Sequence, residues 1–290
     1  MKYSFVISSY DRYKDVELCI ASIEKAYDYA KTVPIEIKVV FKGVKDKTVK
    51  TRYPEMVSFV TIAGIGLSAA RNLGIRNSTA DIIIIMDDDA TVKEDFLATL
   101  DSNVKKLKAR AFCGRLLDPN TKEPFAVCYK GTEIVDVDRL NFRYFRGSNI
   151  IVGRELVAKA GYFDEIFGSG VKYFAAEDSD VFFRIKKTGE KVYYLPDVVF
   201  YHVLPSAQPA SKVYNYAYGT GAMLTKEIYI DPLRTFLYLY LLAEIIMKSS
   251  IRTAQVALFP KFIKDKNEVF HYSSLLKGTI EGIISYILKI

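Results

Sequence analysis

The run Ile82-Ile83-Ile84-Ile85-Met86-Asp87-Asp88-Asp89-Ala90 constrains the fold of this chain more than any other segment. Four isoleucines followed by a methionine predict a strand buried on both faces, as in a sheet covered by helices. Three adjacent carboxylates at its C-terminal end lie where open parallel sheets bind ligands, and they repel one another unless a cation or bound donors compensate. Side chains alternate along an extended chain. If extension persists, Asp87 and Asp89 point the same way, as hard oxygen ligands suited to Mg²⁺ or Mn²⁺ with substrate phosphates completing the shell. Asp88 then faces elsewhere. The alternative is that one of the three caps a helix beginning near Val92, a task for which a single carboxylate is enough.

Short apolar runs at Tyr3 to Ser8, Ile35 to Phe41, Val57 to Ile62 and Ile82 to Met86 alternate with amphipathic stretches at Asp15 to Tyr29 and Leu67 to Arg76. This alternation predicts an α/β fold, a mostly parallel central sheet with helices on both faces. In the first helix Val16, Cys19, Ile20, Ile23 and Ala26 form the core-facing stripe, with Asp15 or Asp11 as its N-cap. Between Asp101 and His202 the pattern predicts strands at Ala111 to Leu116 and Asn149 to Val152. Helices are expected from Arg154 to Ala160 and from Asp178 to Thr188, stopped by Gly161 and Gly189.

Half of the 290 residues are hydrophobic, which supplies a sizeable core and excludes wholesale disorder. Cys19, Cys113 and Cys128 are an odd set without CxxC spacing, so neither a disulfide framework nor a cysteine zinc site is expected. The N-terminus runs from Met1-Lys2-Tyr3 straight into Ser4 to Ser8 without an export signal, and a cytoplasmic location is expected. The net charge of +7 suits an anionic membrane surface or a phosphorylated substrate; no nucleic-acid module is recognisable.

Composition shifts after Pro205. Phe236 to Ala243 is continuously apolar, Glu244 interrupts, and Ile245 to Met247 resumes, which falls short of the roughly 20 apolar residues of a membrane-crossing helix. Leu275 to Ile290 is amphipathic, with Leu276, Ile280, Ile283, Ile284, Ile287 and Leu288 on one face, and Arg252, Lys261, Lys264 and Lys266 lie nearby. These helices either pack on the catalytic core or a second subunit, or attach peripherally to an anionic membrane.

Other chemistries share parts of this pattern. Asp87-x-Asp89-x-Thr91 after an apolar strand resembles the nucleophile loop of haloacid-dehalogenase-type phosphatases, but several β/α units precede it and Ala90 stands where a Gly is expected. Gly64-Ile65-Gly66-Leu67-Ser68-Ala69 matches a dinucleotide fingerprint, with Asp87 where a ribose-binding acid would sit, yet it lies in the third β/α unit. Glu177-Asp178-Ser179-Asp180 opens a helix, where one carboxylate can be held ionised by backbone amides while its neighbour acts as a general base; a pair of caps with exposed acids is the plainer reading. His202 ends an apolar run, where a lone histidine is more often packed than ligating.

The order of these pieces resembles that of the family 2 nucleotide-sugar glycosyltransferases with the GT-A fold, over roughly residues 1 to 205. The carriers are Val6-Ile7-Ser8-Ser9-Tyr10-Asp11-Arg12, Gly66-Leu67-Ser68-Ala69-Ala70-Arg71-Asn72-Leu73-Gly74, Met86-Asp87-Asp88-Asp89 and Arg146-Gly147-Ser148-Asn149. Then follow Gly161-Tyr162-Phe163-Asp164-Glu165, Glu177-Asp178-x-Asp180 with Arg184, and Pro196 with His202. The resemblance implies a metal-dependent, inverting transfer of a sugar from a nucleotide diphosphate to an acceptor hydroxyl. Asp178 is then the base. Asp87, Asp89 and His202 would hold Mn²⁺ or Mg²⁺, and Ser9, Tyr10, Asp11, Arg71, Asp87, Asp88, Gly147, Asn149 and Glu177 would contact substrates.

One departure bears on the donor. Where the family usually supplies a base-reading acid after the second strand, this chain has Lys42, with Asp46 only later, so a UDP-sugar is expected ahead of GDP or dTDP donors without being fixed. The expected organisation is a GT-A catalytic domain over 1–205, with a nucleotide-binding half at 1–100 and an acceptor-binding half at 101–205. A mainly helical extension follows at 206–290, and residues 233–290 are expected to meet a membrane or a second copy. The expected acceptor is a lipid-linked or growing glycan at the cytoplasmic face of a membrane. Rival functions are a non-catalytic nucleotide-sugar binder and a phosphatase using Asp87 and Asp89.

Overall fold

The structure, a computed structural model, describes residues 1–42, 49–64, 66–125, 129–203, 209–258 and 267–289, apart from the side chains of 256–258, 267–270 and 289. Cys128, Asp46, Lys261, Lys264, Lys266 and the expected boundary at 205 lie outside the described residues. The chain forms two compact units: Met1–Asp164 with Asp178–Leu204, and Glu165–Glu177 with Pro205–Ile290.

The first unit is built on one sheet. Its described strands are β1 (Tyr3–Tyr10), β2 (Ile35–Lys42), β3 (Val57–Thr61), β4 (Ile82–Asp87), β5 (Ala90–Val92), β6 (Ala111–Leu117), β7 (Val135–Asp136), β8 (Ile150–Gly153) and β9 (Val192–His202). They run in the order β3-β2-β1-β4-β8-β6-β9-β5, with β7 on the side of β9. The first four pair in parallel, as the β/α alternation predicts. Beyond β4 the sheet is mixed: β8 is antiparallel to β4 and β6, β6 is parallel to β9, and β5 is antiparallel to β9.

Side-chain alternation sorts the two faces. Tyr3, Phe5 and Ile7 of β1 and Ile82, Ile84 and Met86 of β4 bury against Val16, Cys19 and Ile20 of α1 (Tyr13–Tyr29) and Phe96, Leu97 and Leu100 of α3 (Phe96–Leu107). Val6, Ile83 and Ile85 are fully buried on the other side, where α2 (Leu67–Arg76) packs on β1. Two local expectations fail here. The residue before α1 is Arg12, without a side-chain cap, because Asp11 sits at φ 53° and the Asp15 carboxylate is taken by Arg12 Nε at 2.8 Å. The three aspartates cap no helix: they occupy the end of β4 and the turn into β5, and α3 begins only at Phe96.

The edge of the unit is tied by a buried acid. Glu36 accepts from Lys2 Nζ at 2.8 Å, Ser78 Oγ at 2.6 Å and the Thr79 amide at 2.8 Å. Burial pushes its pKa up, but these hydrogen bonds outweigh it and hold it at about 2. A depressed carboxylate contributes stability that is complete above the ordinary value of 4.5 and is lost as pH falls toward about 2. Glu36→Gln should therefore cost about 2 kcal/mol in urea unfolding at pH 7, with Lys2 partly screened, and much less at pH 3. Equal losses at both pH values would show that the charge contributes nothing.

The second unit contains α6 (Ala210–Ile230), α7 (Thr235–Leu258) and α8 (Asn267–Lys289). The remaining described α-helices are α4 (Arg154–Lys159) in the first unit and α5 (Glu177–Lys187). α6 and α8 meet through glycines: a Cβ on Gly278 would lie 2.5 Å from the Tyr214 carbonyl oxygen, and Gly282 stands against the Tyr218 carbonyl and Gly221 against that of Thr279. Gly219 abuts the Tyr173 carbonyl at 2.5 Å in the same sense. Of the apolar stripe read from the α8 sequence, Ile280, Ile284, Ile287 and Leu288 are consequently exposed and Leu276 and Ile283 half-buried, because the inward face is Gly278, Thr279 and Gly282. No described helix is long and apolar enough to cross a membrane.

Candidate active site

The carboxyl ends of β1 and β4 lie side by side, with Ser8 opposite Asp87. Beyond them Asp87 and Asp89 converge with His202, each offering one ligand atom within 4.8 Å of the others. His202 arrives by a change of register. β9 follows β6 in parallel until a shift between Gly114 and Arg115, where the missing side chain admits the Val198 carbonyl. Past that bulge β9 pairs with β5, and His202 falls opposite Ala90, next to Asp89.

The Val203 carbonyl accepts from His202 Nδ1–H at 3.0 Å, which turns Nε2 toward Asp89 Oδ1 at 3.1 Å, a second donated bond that the ring makes as an imidazolium. The hydrogen bond from His202 holds the Asp89 carboxyl far below the usual range against the effect of burial, with Arg12 adding to it. The same bond raises the pKa of His202 despite desolvation.

Asp88 turns to the opposite side, toward α1. It is buried, accepts from Ser9 Oγ at 2.7 Å and from Arg12 Nη1 at 2.9 Å, and its pKa is raised by burial although both partners pull the other way. Ser9 and Asp88 are thus hydrogen-bonded to each other and support the turn. Tyr10 and Asp11 remain exposed at the end of β1, and Lys42 Nζ lies 5.3 Å from the Tyr10 ring centroid.

Arg71 lies below these residues. It is only 1% exposed, beneath the site, with Nη2 donating to Asp87 Oδ1 at 3.1 Å and to the Gly147 carbonyl at 3.3 Å. At that depth its guanidinium holds Asp87 and the Gly147 loop in place. Gly147 in turn donates its N–H to Asp178 Oδ2 at 3.1 Å, and a Cβ there would lie 2.6 Å from Arg71 Nη2. One continuous path of hydrogen bonds therefore runs from Asp178 through Gly147 and Arg71 to Asp87.

Asp178 Oδ1 also accepts from its neighbour's amide, Ser179 N, at 2.6 Å, so backbone donors hold the carboxylate from two sides. Asp180 is fully buried and paired with Arg184 at 2.6 Å, which fixes α5 and separates the two acids by task. Glu177 is buried. Asn149, expected to touch substrate, is fully buried with its amide donating to the Gly114 and Tyr144 carbonyls and its oxygen accepting from the Arg146 amide. It shapes the loop that presents Gly147.

Sequence pattern alone assigns Arg12 no separate role. In the structure it bridges Asp88 and Asp89, 3.0 Å from Asp89 Oδ2, and supplies the compensating cation that three adjacent carboxylates require. The signal that could have found it is its place just past β1, the parallel neighbour of the strand that carries the acids.

The comparisons with known proteins agree with this arrangement. The model of glycosyl transferase family 2 matches residues 4–163, more than half of the chain. A glucosyl-dolichyl phosphate glucuronosyltransferase of Haloferax volcanii is 25% identical over 213 residues, 67% of this chain and 66% of that protein, so the match spans just under two thirds of the relative's length. Among solved structures, the mannosyltransferase PcManGT from Pyrobaculum calidifontis, in complex with GDP-Man and Mn²⁺, superposes with a TM-score of 0.67 at 18% identity, covering 98% of this chain and 87% of that one. S. aureus TarS gives 0.59 at 15% over 99% of this chain and 55% of its own, and its 1–349 form with UDP-GlcNAc gives 0.59 at 15% over 100% and 92%. At such identities the structural likeness establishes the fold, the GT-A arrangement of a mixed sheet flanked by helices. With the family's signature over most of the sheet that carries Asp87 to Asp89, the chain belongs to glycosyl transferase family 2.

Proposed function

We propose that this protein transfers a sugar from a nucleotide-diphosphate donor, a UDP-sugar first, to a hydroxyl of a lipid-linked or growing glycan, with inversion at the anomeric carbon. The observation that carries the proposal is the convergence of Asp87, Asp89 and His202 at the strand ends. Two carboxylate oxygens and an imidazole nitrogen suit Mn²⁺ or Mg²⁺, and Arg71 and the Val203 carbonyl orient two of these ligands from behind. When bound there, the metal supplies charge neutralisation for a departing diphosphate.

The remaining steps belong to the chain's own groups. Asp178, held by Gly147 and Ser179, takes the proton of the acceptor hydroxyl as that oxygen bonds to the anomeric carbon and the bond to the diphosphate breaks. Its tether through Gly147 and Arg71 keeps base and metal ligands in fixed relation, the orientation that a single displacement needs. Arg12, half-exposed beside Asp89, is placed to follow the diphosphate's charge, and Tyr10 with Lys42 presents a face and a cation to the nucleobase.

The relative named for a dolichyl-phosphate-linked sugar supports a lipid-linked acceptor, and with it work at the cytoplasmic face of a membrane that residues 233–290 would contact. A division into 1–205 for transfer and 206–290 for attachment or self-association belongs to the same reading. A saturating UDP-sugar with Mn²⁺, at about 100 times its dissociation constant, should stabilise the protein by about 2.7 kcal/mol in thermal unfolding and lose that effect in EDTA. Stabilisation indifferent to EDTA would remove the metal from the proposal, and a donor screen without any stabilising nucleotide sugar would remove the transfer.

A further inference from the structure

The solvent side of α7 carries an apolar stripe from Phe236 to Ile251. Leu233, in the turn before it, is 92% exposed, Phe236 87%, Tyr240 58%, Met247 57% and Ile251 51%. Phe236, Tyr240, Met247 and Ile251 are spaced four, seven and four residues apart, which puts them on one stripe about 22 Å long. The opposite side of the helix, Tyr238, Leu241, Leu242, Ile245 and Ser249, is buried within its own unit. Among the described residues this helix therefore has two apolar faces, and only one is covered.

The charges around the open face carry a positive excess. Arg234, Lys248 and Arg252 are exposed along its flanks. The nearby acids are engaged: Glu244 pairs with Lys248, and buried Asp231 is held by Arg234 and the Tyr238 hydroxyl. An apolar stripe of this size is a docking surface, and a rim of cations with a neutralised acid selects its occupant. A second copy of the chain would bring two cationic rims together. A bilayer rich in anionic lipid meets both requirements, taking the stripe into its acyl boundary and the cations at its phosphates.

We infer that α7 lies in the plane of an anionic membrane surface, with Phe236, Tyr240, Met247 and Ile251 inserted and Arg234, Lys248 and Arg252 against headgroup phosphates. This deepens the proposed function, resting on its membrane-borne acceptor, by naming the face that makes the contact. The test is flotation of the full chain with phosphatidylglycerol–phosphatidylcholine vesicles and with phosphatidylcholine vesicles alone. The protein should partition onto the anionic vesicles at least about tenfold more strongly. Phe236→Glu with Met247→Glu should lose that binding by about tenfold or more, and Lys248→Gln with Arg252→Gln should lose the preference for anionic lipid. Since these positions are solvent-exposed, the Mn²⁺-dependent thermal response to nucleotide diphosphate should be unchanged in every variant. Equal partitioning of wild type and Phe236→Glu/Met247→Glu overturns the inference. So does a wild-type chain that ignores both vesicles, including one that forms a dimer dissolved by the same substitutions. Failure of the transferase reading is separately visible, as vesicle binding intact in a chain that never responds to a nucleotide.

Discussion

Asp178→Asn should lower transfer by about a thousandfold while leaving Mn²⁺-dependent donor binding within about threefold of wild type, the size expected when a positioned general base is removed without altering shape. The amide cannot accept the acceptor's proton. Its single oxygen can keep the Ser179 amide, at the expense of turning its NH₂ toward the Gly147 N–H, so a small loss of stability accompanies the chemical one. Donor titration by calorimetry and single-turnover transfer, measured on the same preparation, separate the two effects. An Asn variant that still transfers would remove Asp178 as the base, and a wild-type protein that binds donor without transferring or hydrolysing it would point to a non-catalytic binder.

The second large effect is expected at Asp89. It faces His202 with one oxygen and Arg12 with the other, and these surroundings favour its ionised form. Asp89→Asn keeps the volume and removes the charge. Partners of metal ligands are commonly worth about 10–100-fold in affinity, so loss of a ligand itself should weaken Mn²⁺-dependent nucleotide binding by at least about a hundredfold. Calorimetric titration of a nucleoside diphosphate with and without Mn²⁺ measures it. Retained affinity in the variant would mean that the convergence of Asp87, Asp89 and His202 is held together by the histidine and arginine alone.

Parts of this site are legible in the amino-acid sequence for identifiable reasons. A run of isoleucines ending in three aspartates reads as a covered strand with its acids at the ligand edge, and alternation, if extension persists, separates Asp88 from Asp87 and Asp89 before any fold is known. Depth is not legible. Arg71 and Asn149 carry the residue types of a binding site, yet whether a guanidinium or an amide meets ligand or backbone depends on how far a helix or loop sinks beneath the sheet edge. The approach of His202 to Asp89 depends on the register shift opposite Gly114, a contact between distant strands that local pattern does not encode. In α8 the helical period is legible but not which way the stripe faces, because burial there is decided by backbone approach at Gly278 and Gly282 more than by the apolar stripe.

Those two glycines work as a keyway. They stand four residues apart on α8, facing the carbonyls of Tyr214 and Tyr218, which are four residues apart on α6. Sliding α8 by about one helical turn in one direction would seat Gly282 against Tyr214 but bring Tyr286 to the Tyr218 carbonyl. Sliding it the other way would seat Gly278 against Tyr218 but bring Ser274 to the Tyr214 carbonyl. Neither seat has room even for a Cβ, so the tyrosine and the serine are both refused. The pair of helices is thus locked against longitudinal slip, and a force applied to one end of α8 is passed to α6 as movement of a single piece.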